Sequence, residues 1–300
     1  MNKGFNIVLP KIQDLMSNPE AYKTLIGELL QLAPKDKVLR FIGGNEGNED
    51  IVYGYDENTI DFFIQLCKDA EVQEVVLRVE IEDYSSGVKH YQDLVGAGLK
   101  VNDVEFGNED YFNIKPTNWI ETIFWRIART RKDATINQAK EYCKKFIEFY
   151  NYANSKGIDL KTKLVWNTHF KIDAINLNWH IAVKSELKGF KKCAIHVYCE
   201  LHDSFFDDFE KSIENNFKGL ETIVSEYHPI GYHNLPESEK ELLKGSPLET
   251  AMDLKARALF EKLGIDKVLK HTLFHWSHYK NWYGHFIINQ KTGELYGKSR

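Results

Sequence analysis

Two glutamates in this sequence stand where a pair of carboxylates could do chemistry. Glu109 follows the apolar run 101–106, and Glu226 follows the run 222–225. Carboxylates that face one pocket can share the work of breaking a bond, one as general acid and base and the other as nucleophile. The sequence therefore has candidates for this chemistry, provided that the fold brings the ends of the two runs together.

Other side chains that suit a polar substrate stand at or near the ends of further apolar runs. Guanidinium, amide, imidazole and phenol groups donate hydrogen bonds to hydroxyl and carboxylate oxygens, and an indole ring offers a flat apolar face. The candidates of this kind are Arg40, Asn108, His169, His196, Tyr198 and Trp276. We predict that they line one substrate-binding pocket.

Strand-like and helix-like patterns alternate along almost the whole chain, and these elements must position the candidates. Eight short runs are mostly apolar and do not alternate strictly with polar residues, as strands buried on both faces of a parallel sheet require. The predicted strands cover residues 4–10, 38–42, 74–81, 101–106, 163–166, 193–199, 222–225 and 268–276. Eight strands separated by helices predict an α/β fold, a single (β/α)8 TIM barrel over residues 1–300, with its reactive groups at the carboxyl ends of the strands.

Two segments depart from the regular alternation. Residues 113–135 form an insertion after the fourth strand, and no clear eighth helix follows the last strand. Residues 286–295 have the pattern of a β-hairpin with its turn at 291–293. We expect an atypical or missing eighth helix, with either the hairpin closing the barrel or a sequence truncated before that helix.

Five short segments resemble clan A of the glycoside hydrolases. Residues 104–109, Val-Glu-Phe-Gly-Asn-Glu, are similar to the Gly-Asn-Glu signature on strand 4 of that clan, and residues 223–227, Ile-Val-Ser-Glu-Tyr, to its nucleophile segment on strand 7. The other three are His196-Val197-Tyr198 for the strand-6 His-x-Tyr, Leu39-Arg40-Phe41 with Gly43-Gly44 for the strand-2 arginine, and Phe274-His275-Trp276 for the strand-8 tryptophan. Each motif is short, but the five occur in the order of the clan, each at the end of a predicted strand.

The resemblance implies a retaining glycoside hydrolase that cleaves O-glycosidic bonds of a poly- or oligosaccharide by double displacement. Glu109 would be the general acid and base, Asn108 would bond the 2-hydroxyl of the sugar, and Glu226 would attack the anomeric carbon. Burial and the charge of Glu226 must then keep Glu109 protonated, whereas Arg40 and Tyr198 must keep Glu226 ionised. Retention further predicts about 5–5.5 Å between the two carboxyl groups.

Each candidate also has a structural interpretation. Glu109 could be a solvated loop carboxylate, and Glu105 could compete for the acid role, although its position within the strand favours a buried structural carboxylate. Arg40 could simply pair with an acid on a neighbouring strand. Surface or packing roles are open in the same way to Glu226, His196, Tyr198 and Trp276.

Other site chemistries have little support. His271 and His275 lie four residues apart in a predicted strand, about 13 Å along it, so they do not converge on a metal ion as they would on a helix. No Gly-rich phosphate loop follows the first strand. We therefore predict no metal site and no cofactor. Segment 228–248, directly after Glu226, is either a wall of the substrate cleft or a surface insertion.

The composition is that of an ordinary globular protein. Of the 300 residues, 28% are charged and 43% are hydrophobic, with a net charge of −5. No apolar run approaches the ~18 residues of a membrane-spanning helix, and a mildly acidic chain has no electrostatic footprint for nucleic acid. The four cysteines lack a pairing motif and the first apolar stretch ends at Pro10. We expect reduced thiols, no nucleic-acid or membrane partner, and a cytoplasmic location unless a signal peptide has been removed.

Three classes of function fit these residues. The leading hypothesis is a glycoside hydrolase with a carbohydrate substrate. The alternatives are a non-catalytic carbohydrate-binding barrel and a structural barrel in an assembly such as a phage particle. The presence of both Glu109 and Glu226 favours the enzyme, because a binding module has no need of the pair. The identity of the sugar and the oligomeric state stay open.

Overall fold

The eight strands of the predicted barrel form one closed parallel sheet. The computed structural model describes residues 1–7, 14–42, 57–81, 83–108, 128–170, 174–202, 204–232, 235–276 and 285–298. In order around the sheet, the strands are β1 (Asn2–Ile7), β2 (Val38–Ile42), β3 (Glu74–Val79), β4 (Lys100–Phe106), β5 (Leu164–Asn167), β6 (Lys192–Tyr198), β7 (Glu221–His228) and β8 (Lys267–Lys270). Neighbouring strands pair in parallel, including β8 with β1, which confirms the α/β barrel.

Helices connect the strands and cover the outside of the barrel. They are α1 (Pro19–Leu30), α2 (Glu57–Asp69), α3 (Tyr84–Gly96), α4 (Ala128–Ser155), α5 (Ala174–Glu186), α6 (Phe205–Asn216), α7 (Glu237–Leu243) and α8 (Pro247–Lys262). Helix α4 starts at Ala128, inside the predicted insertion 113–135 and before the start near Asn137 that the periodicity indicates. Segment 228–248 contains the short helix α7.

Local sequence explains where several helices begin. Asn18 caps α1, because its side-chain oxygen accepts a hydrogen bond from the backbone N–H of Ala21 at 3.0 Å, and Pro19 suits the first turn. Asp83 caps α3 in the same way, with the N–H of Ser86 at 3.1 Å. Helix α6 illustrates how the covered faces are built, and its buried residues are Phe205, Phe206, Phe209 and Ile213.

The barrel closes through its own strands and not through the C-terminal hairpin. Residues 2–5 of β1 pair in register with residues 267–270 of β8. The expectation that the hairpin closes the barrel is therefore wrong. The predicted strand 268–276 is also wrong in length, because the chain turns at residues 271–273 before a separate strand, β9 (Phe274–Trp276).

A second, three-stranded sheet follows β8 and covers part of the outer surface. Strand β9 pairs in parallel with β10 (Phe286–Ile288), which pairs antiparallel with β11 (Leu295–Lys298). The outward-facing ring of Phe5 on β1 stacks on His285 at 4.8 Å and contacts Phe286 at 6.5 Å. A regular barrel has a helix after β8. Residues 271–276 and 285–298 contain no helix, and over these ranges the three-stranded sheet occupies the place of that helix.

The β10–β11 hairpin docks on the first turns of α1. The side-chain amide of Asn18 donates to the carbonyl of Gln290 at 2.7 Å, and the hydroxyl of Thr24 donates to the carbonyl of Gly293 at 2.6 Å. Gly293 has a φ of 72°, and a Cβ at this position would lie 2.5 Å from Cβ of Glu20. Only glycine fits such a turn. The predicted hairpin and its turn are confirmed.

The interior of the barrel has an apolar middle between two charged ends. The middle consists of Val38, Val76, Leu269, Val165, Ala194 and Ile223. At the amino ends of the strands, Asp103 accepts hydrogen bonds from Lys192, at 2.7 Å, and from Lys267, which also pairs with Glu74. We call Glu74, Asp103, Lys192 and Lys267 the amino-end cluster. The carboxyl ends carry the candidate site.

Candidate active site

The guanidinium of Arg40 is the centre of the candidate site. Arg40 is fully buried on the inner face of β2. Its Nε donates to Oε2 of Glu105 at 2.7 Å, its Nη1 to Oε1 of Glu226 at 2.7 Å, and its Nη2 to Oδ1 of Asn108 at 2.9 Å. One rigid fork thus ties β2 to β4, to the loop after β4 and to β7. We call Arg40, Glu105, His196 and Glu226 the carboxyl-end cluster.

A β-bulge in β7 brings Glu226 into this cluster. Where β7 pairs with β6, Ile195 is opposite Val224 and His196 is opposite Glu226, so Ser225 is an extra residue. Consecutive residues of a regular strand point to opposite faces, but the bulge lets Ser225 and Glu226 both reach the interior. Each of them bonds a member of the cluster.

Glu226 is a buried carboxylate that its neighbours hold ionised. One oxygen accepts from Arg40, and the other accepts the hydroxyl of Tyr198 at 2.7 Å. Nδ1 of His196 lies 3.5 Å from the second oxygen. Burial pushes the pKa of Glu226 upward, but the charges of His196, His271 and Arg40 and the hydrogen bond from Tyr198 outweigh burial and hold that pKa well below its usual range. An ionised, fixed carboxylate is what a nucleophile requires.

Glu105 is a second carboxylate of the cluster, fully buried on β4. It accepts from Arg40 and from the hydroxyl of Ser225 at 3.1 Å, and Nε2 of His196 lies 3.8 Å away. Burial raises its pKa, yet the charge of Arg40 and the contact with His196 bring the pKa below its usual value. An ionised carboxylate cannot donate a proton, so Glu105 does not suit the acid role. Arg40 thus pairs with an acid two strands away, not on a neighbouring strand, and also with the candidate nucleophile.

The turn after β4 carries the segment that ends in the candidate acid. Gly107 has a φ of 79°, which favours glycine. The buried Nε of Arg78, on β3, donates to the carbonyl of Gly107 at 3.3 Å and so braces the turn. Asn108 comes next, held by the cluster. Glu109 lies outside the described residues, as does the predicted distance between its carboxyl group and that of Glu226.

The other predicted residues are distributed unequally. His196 and Tyr198 lie on one face of β6 and both reach Glu226. His169 lies two residues beyond β5, where its ring stacks on Phe170 at 5.0 Å. Trp276 lies in β9 and not at the end of a barrel strand, which corrects its predicted position. The side chain of Trp276 lies outside the described residues.

Two further residues belong to the site, although the sequence analysis did not assign them to it. Both lie where β1 pairs with β8 and closes the barrel. His271 directly follows β8, and its Nδ1 lies 3.7 Å from Oε2 of Glu226. Asn6 is fully buried on β1, with its side-chain nitrogen 3.4 Å from the same Nδ1. The signal for His271 was present in the sequence, because it follows the four-residue run of β8 directly.

Among the described residues, the ionisable groups outside this site do not form a second candidate centre. Within the described ranges, no three His, Cys, Asp or Glu side chains are grouped as metal ligands, and no helix has the length and apolar character to cross a membrane. The four cysteines are buried thiols. Burial raises the pKa of each, so they stay protonated and unreactive near neutral pH.

Comparison with known proteins identifies the architecture. No family model and no curated protein matches the sequence. Among solved structures, the chain is similar to beta-glucosidase 1317, with a TM-score of 0.54 and 10% identity over 95% of this chain and 86% of that one. It is also similar to a 4-O-alpha-L-rhamnosyl-beta-D-glucuronidase from Fusarium oxysporum 12S, with a TM-score of 0.52 and 11% identity over 96% of this chain and 66% of that one. A third similar structure is the beta-glucuronidase of Bacteroides uniformis, at a TM-score of 0.52 and 12% identity, where the match covers 97% of this chain but only 33% of the other. At such low identity the likeness is one of fold, and the chain shares its (β/α)8 barrel with these proteins.

Proposed function

We propose that this protein is a retaining glycoside hydrolase of clan A that acts on a poly- or oligosaccharide. Glu226 carries the proposal: it is an ionised carboxylate near the carboxyl end of a barrel strand, with one oxygen on Arg40 and the other on Tyr198. An ionised carboxylate whose orientation is fixed by two hydrogen bonds is suited to act as a nucleophile. The similar folds belong to proteins named for the glycosides that they cleave, which supports a carbohydrate substrate.

In the proposed reaction, Glu226 attacks the anomeric carbon while Glu109 gives its proton to the glycosidic oxygen. The bond between that carbon and the Glu226 carboxylate forms as the glycosidic bond breaks, which leaves a glycosyl ester and a free alcohol. Glu109 is then ionised and takes a proton from water, whose oxygen attacks the same carbon and releases Glu226. Two displacements at one carbon retain its configuration.

Arg40 has two tasks in this scheme. It stabilises the ionised form of Glu226 and fixes the direction of its carboxylate. Through Nη2 it also holds Asn108, the residue before the proposed acid, and Asn108 would bond the 2-hydroxyl of the sugar. Because one side chain contacts the segments of both catalytic residues, it sets their relative position.

The decisive experiment is a screen of aryl glycosides with the wild type and two matched variants. Glu226→Gln removes the nucleophile, and we expect the cleavage rate to fall roughly 10⁴-fold or more. Glu221→Gln makes the same change at the exposed amino end of the same strand and should leave the rate unchanged. Full activity in Glu226→Gln would disprove the assignment. If no glycoside is cleaved by the wild type, the non-catalytic carbohydrate-binding barrel or the structural barrel is the better account.

The stereochemistry of the product tests the retaining mechanism separately. We expect the anomer first released to have the configuration of the substrate, as followed by proton NMR during early turnover. An inverted product would contradict double displacement and would place the two carboxyl groups roughly 6.5–9.5 Å apart.

A further inference from the structure

The ring of His196 lies between the two buried carboxylates of the carboxyl-end cluster. Nε2 is 3.8 Å from Oε1 of Glu105, and Nδ1 is 3.5 Å from Oε2 of Glu226. The side chain is 3% exposed, so the ring is shielded from bulk water. Each ring nitrogen therefore faces a carboxylate oxygen.

This arrangement selects among the forms of the imidazole ring. A neutral ring has one N–H group and one nitrogen lone pair, so either tautomer would point a lone pair at a carboxylate oxygen. An imidazolium donates from both nitrogens and is attracted to both carboxylates. Geometry alone thus favours the charged ring at His196.

The charge count of the cluster leads to the same result. Glu105 and Glu226 are both ionised, since all four of their oxygens face donors from Arg40, Ser225 and Tyr198 or the ring of His196. Arg40 supplies a single positive charge against these two negative charges. An uncompensated charge in a buried site is costly, so a second cation is required.

His271 is the other imidazole close to Glu226, but it is placed differently. Its side chain is 18% exposed, and it pairs with one carboxylate of the cluster at 3.7 Å. The side-chain nitrogen of Asn6, which can only donate, lies 3.4 Å from the same Nδ1. Both ring nitrogens of His196 face carboxylates, whereas the described contacts of His271 include one carboxylate. His196 is the better-placed second cation.

We propose that His196 is held as an imidazolium between Glu105 and Glu226 and acts as a positioning residue for the nucleophile. Glu105 is the permanent counter-ion of this arrangement: when Glu226 becomes a glycosyl ester and loses its negative charge, Glu105 still balances one of the two cations. The catalytic role rests on the proposed function, whereas the protonation state of the ring does not. The charged and titratable groups that face the ring are Glu105 from β4, Glu226 from β7, Arg40 from β2, Tyr198 from β6 and His271 after β8.

Nitrogen NMR of protein labelled at its histidine rings tests the protonation state. Spectra of His196→Gln and His271→Gln assign the two resonances. We expect both ring nitrogens of His196 to be protonated at about pH 7.5, where an ordinary imidazole is neutral. Glu105→Gln removes one carboxylate and should weaken proton binding at His196 at least tenfold, about one pH unit. A neutral His196 in the wild type, or an unchanged titration in Glu105→Gln, would overturn the proposal. If Glu105→Gln does not fold, the wild-type titration decides the question alone.

The positioning role has its own readout in the pH profile of kcat/KM. His196→Gln removes a cation beside Glu226, so the acidic limb, which reports ionisation of the nucleophile, should move to higher pH. A ring that only packs would leave this limb in place. If no glycoside is cleaved, the proposed function fails while the NMR result still stands or falls by itself.

Discussion

The amino-end and carboxyl-end clusters occupy one barrel and share strands, yet they are built differently. Strand β4 supplies Asp103 to the first and Glu105 to the second, and β6 supplies Lys192 and His196 in the same way. The two members on each strand are an even number of positions apart, so they lie on the same inner face. A simple inward-facing pattern therefore places charge at both ends.

The cations account for the difference between the clusters. The ammonium of Lys192 lies 2.7 Å from Asp103 and 3.2 Å from the exposed Glu221. Because a lysine side chain is flexible, its ammonium can pair with any carboxylate within reach. Arg40 instead directs three donors at fixed angles to three partners. Lysines neutralise charge at one end, whereas an arginine also defines geometry at the other.

The largest effect on stability is expected at the amino-end cluster. Asp103→Ala leaves Lys192 and Lys267 without their shared buried counter-ion, so the free energy of unfolding in urea should fall by about 3–5 kcal/mol. The folded variant should keep its kcat. Glu221→Ala removes an exposed partner of Lys192 and should cost less than about 1 kcal/mol. Equal losses in the two variants would mean that the buried cluster does not stabilise the barrel.

A second prediction concerns the loss of unfolding free energy at mildly acidic pH. We assign this loss to a histidine that belongs to neither cluster. Burial lowers the pKa of His180, which lies outside both clusters, from 6.5 to about 4. As the pH falls, His180 is protonated in the unfolded chain before it is protonated in the folded one. The contribution of the neutral, buried ring to the free energy of unfolding is therefore intact above about pH 6.5 and is lost as the pH falls towards 4. His180→Gln should reduce the loss of unfolding free energy across that window by about 3 kcal/mol.

Urea titrations at several pH values measure this loss. Glu105 and Glu226 have lowered pKa values, so their contribution is present above the usual carboxylate range and is lost only at more acidic pH. An unchanged pH dependence in His180→Gln would assign the loss to other groups. His90, whose pKa burial lowers to about 4, would be the next to test.

The smallest of these effects tests the role of arginine directly. Arg40→Lys keeps the charge but cannot contact three partners at once, so kcat should fall about a hundredfold, equivalent to about 2.7 kcal/mol. Lys192→Arg makes the converse change in the amino-end cluster and should leave kcat unchanged. If Arg40→Lys keeps full activity, charge alone suffices at the carboxyl end, and the distinction between the clusters is lost.

The sequence predicted most of the barrel because burial on both faces leaves a plain signal. The runs 38–42 and 193–199 became β2 and β6 almost as predicted. The run 268–276 was wrongly predicted as a single strand. Apolar character indicates burial but not the direction of the chain, which turns within this run. Because of that error, Trp276 was predicted to lie at the end of β8, and His271, which directly follows β8, was not predicted as a site residue.

The site itself was predictable only in part. Arg40, Asn108, Tyr198 and Glu226 could be named from strand ends and from the resemblance. The bulge at Ser225 could not, since it depends on the register between two strands and not on the pattern of one. The pairing of Glu105 with Arg40 was not predictable for a similar reason. A contact across the interior of the barrel leaves no pattern in the sequence of either strand.

The position of the C-terminal hairpin on α1 has a consequence for folding during synthesis. Asn18 and Gln290 are bonded although 272 residues separate them, and β1 meets its second neighbour only at β8. Until residues 267–298 leave the ribosome, one edge of β1 is unpaired and Phe5 is uncovered. The contacts of highest sequence separation thus form last, and a stalled chain would present an open sheet edge that can aggregate or recruit a chaperone.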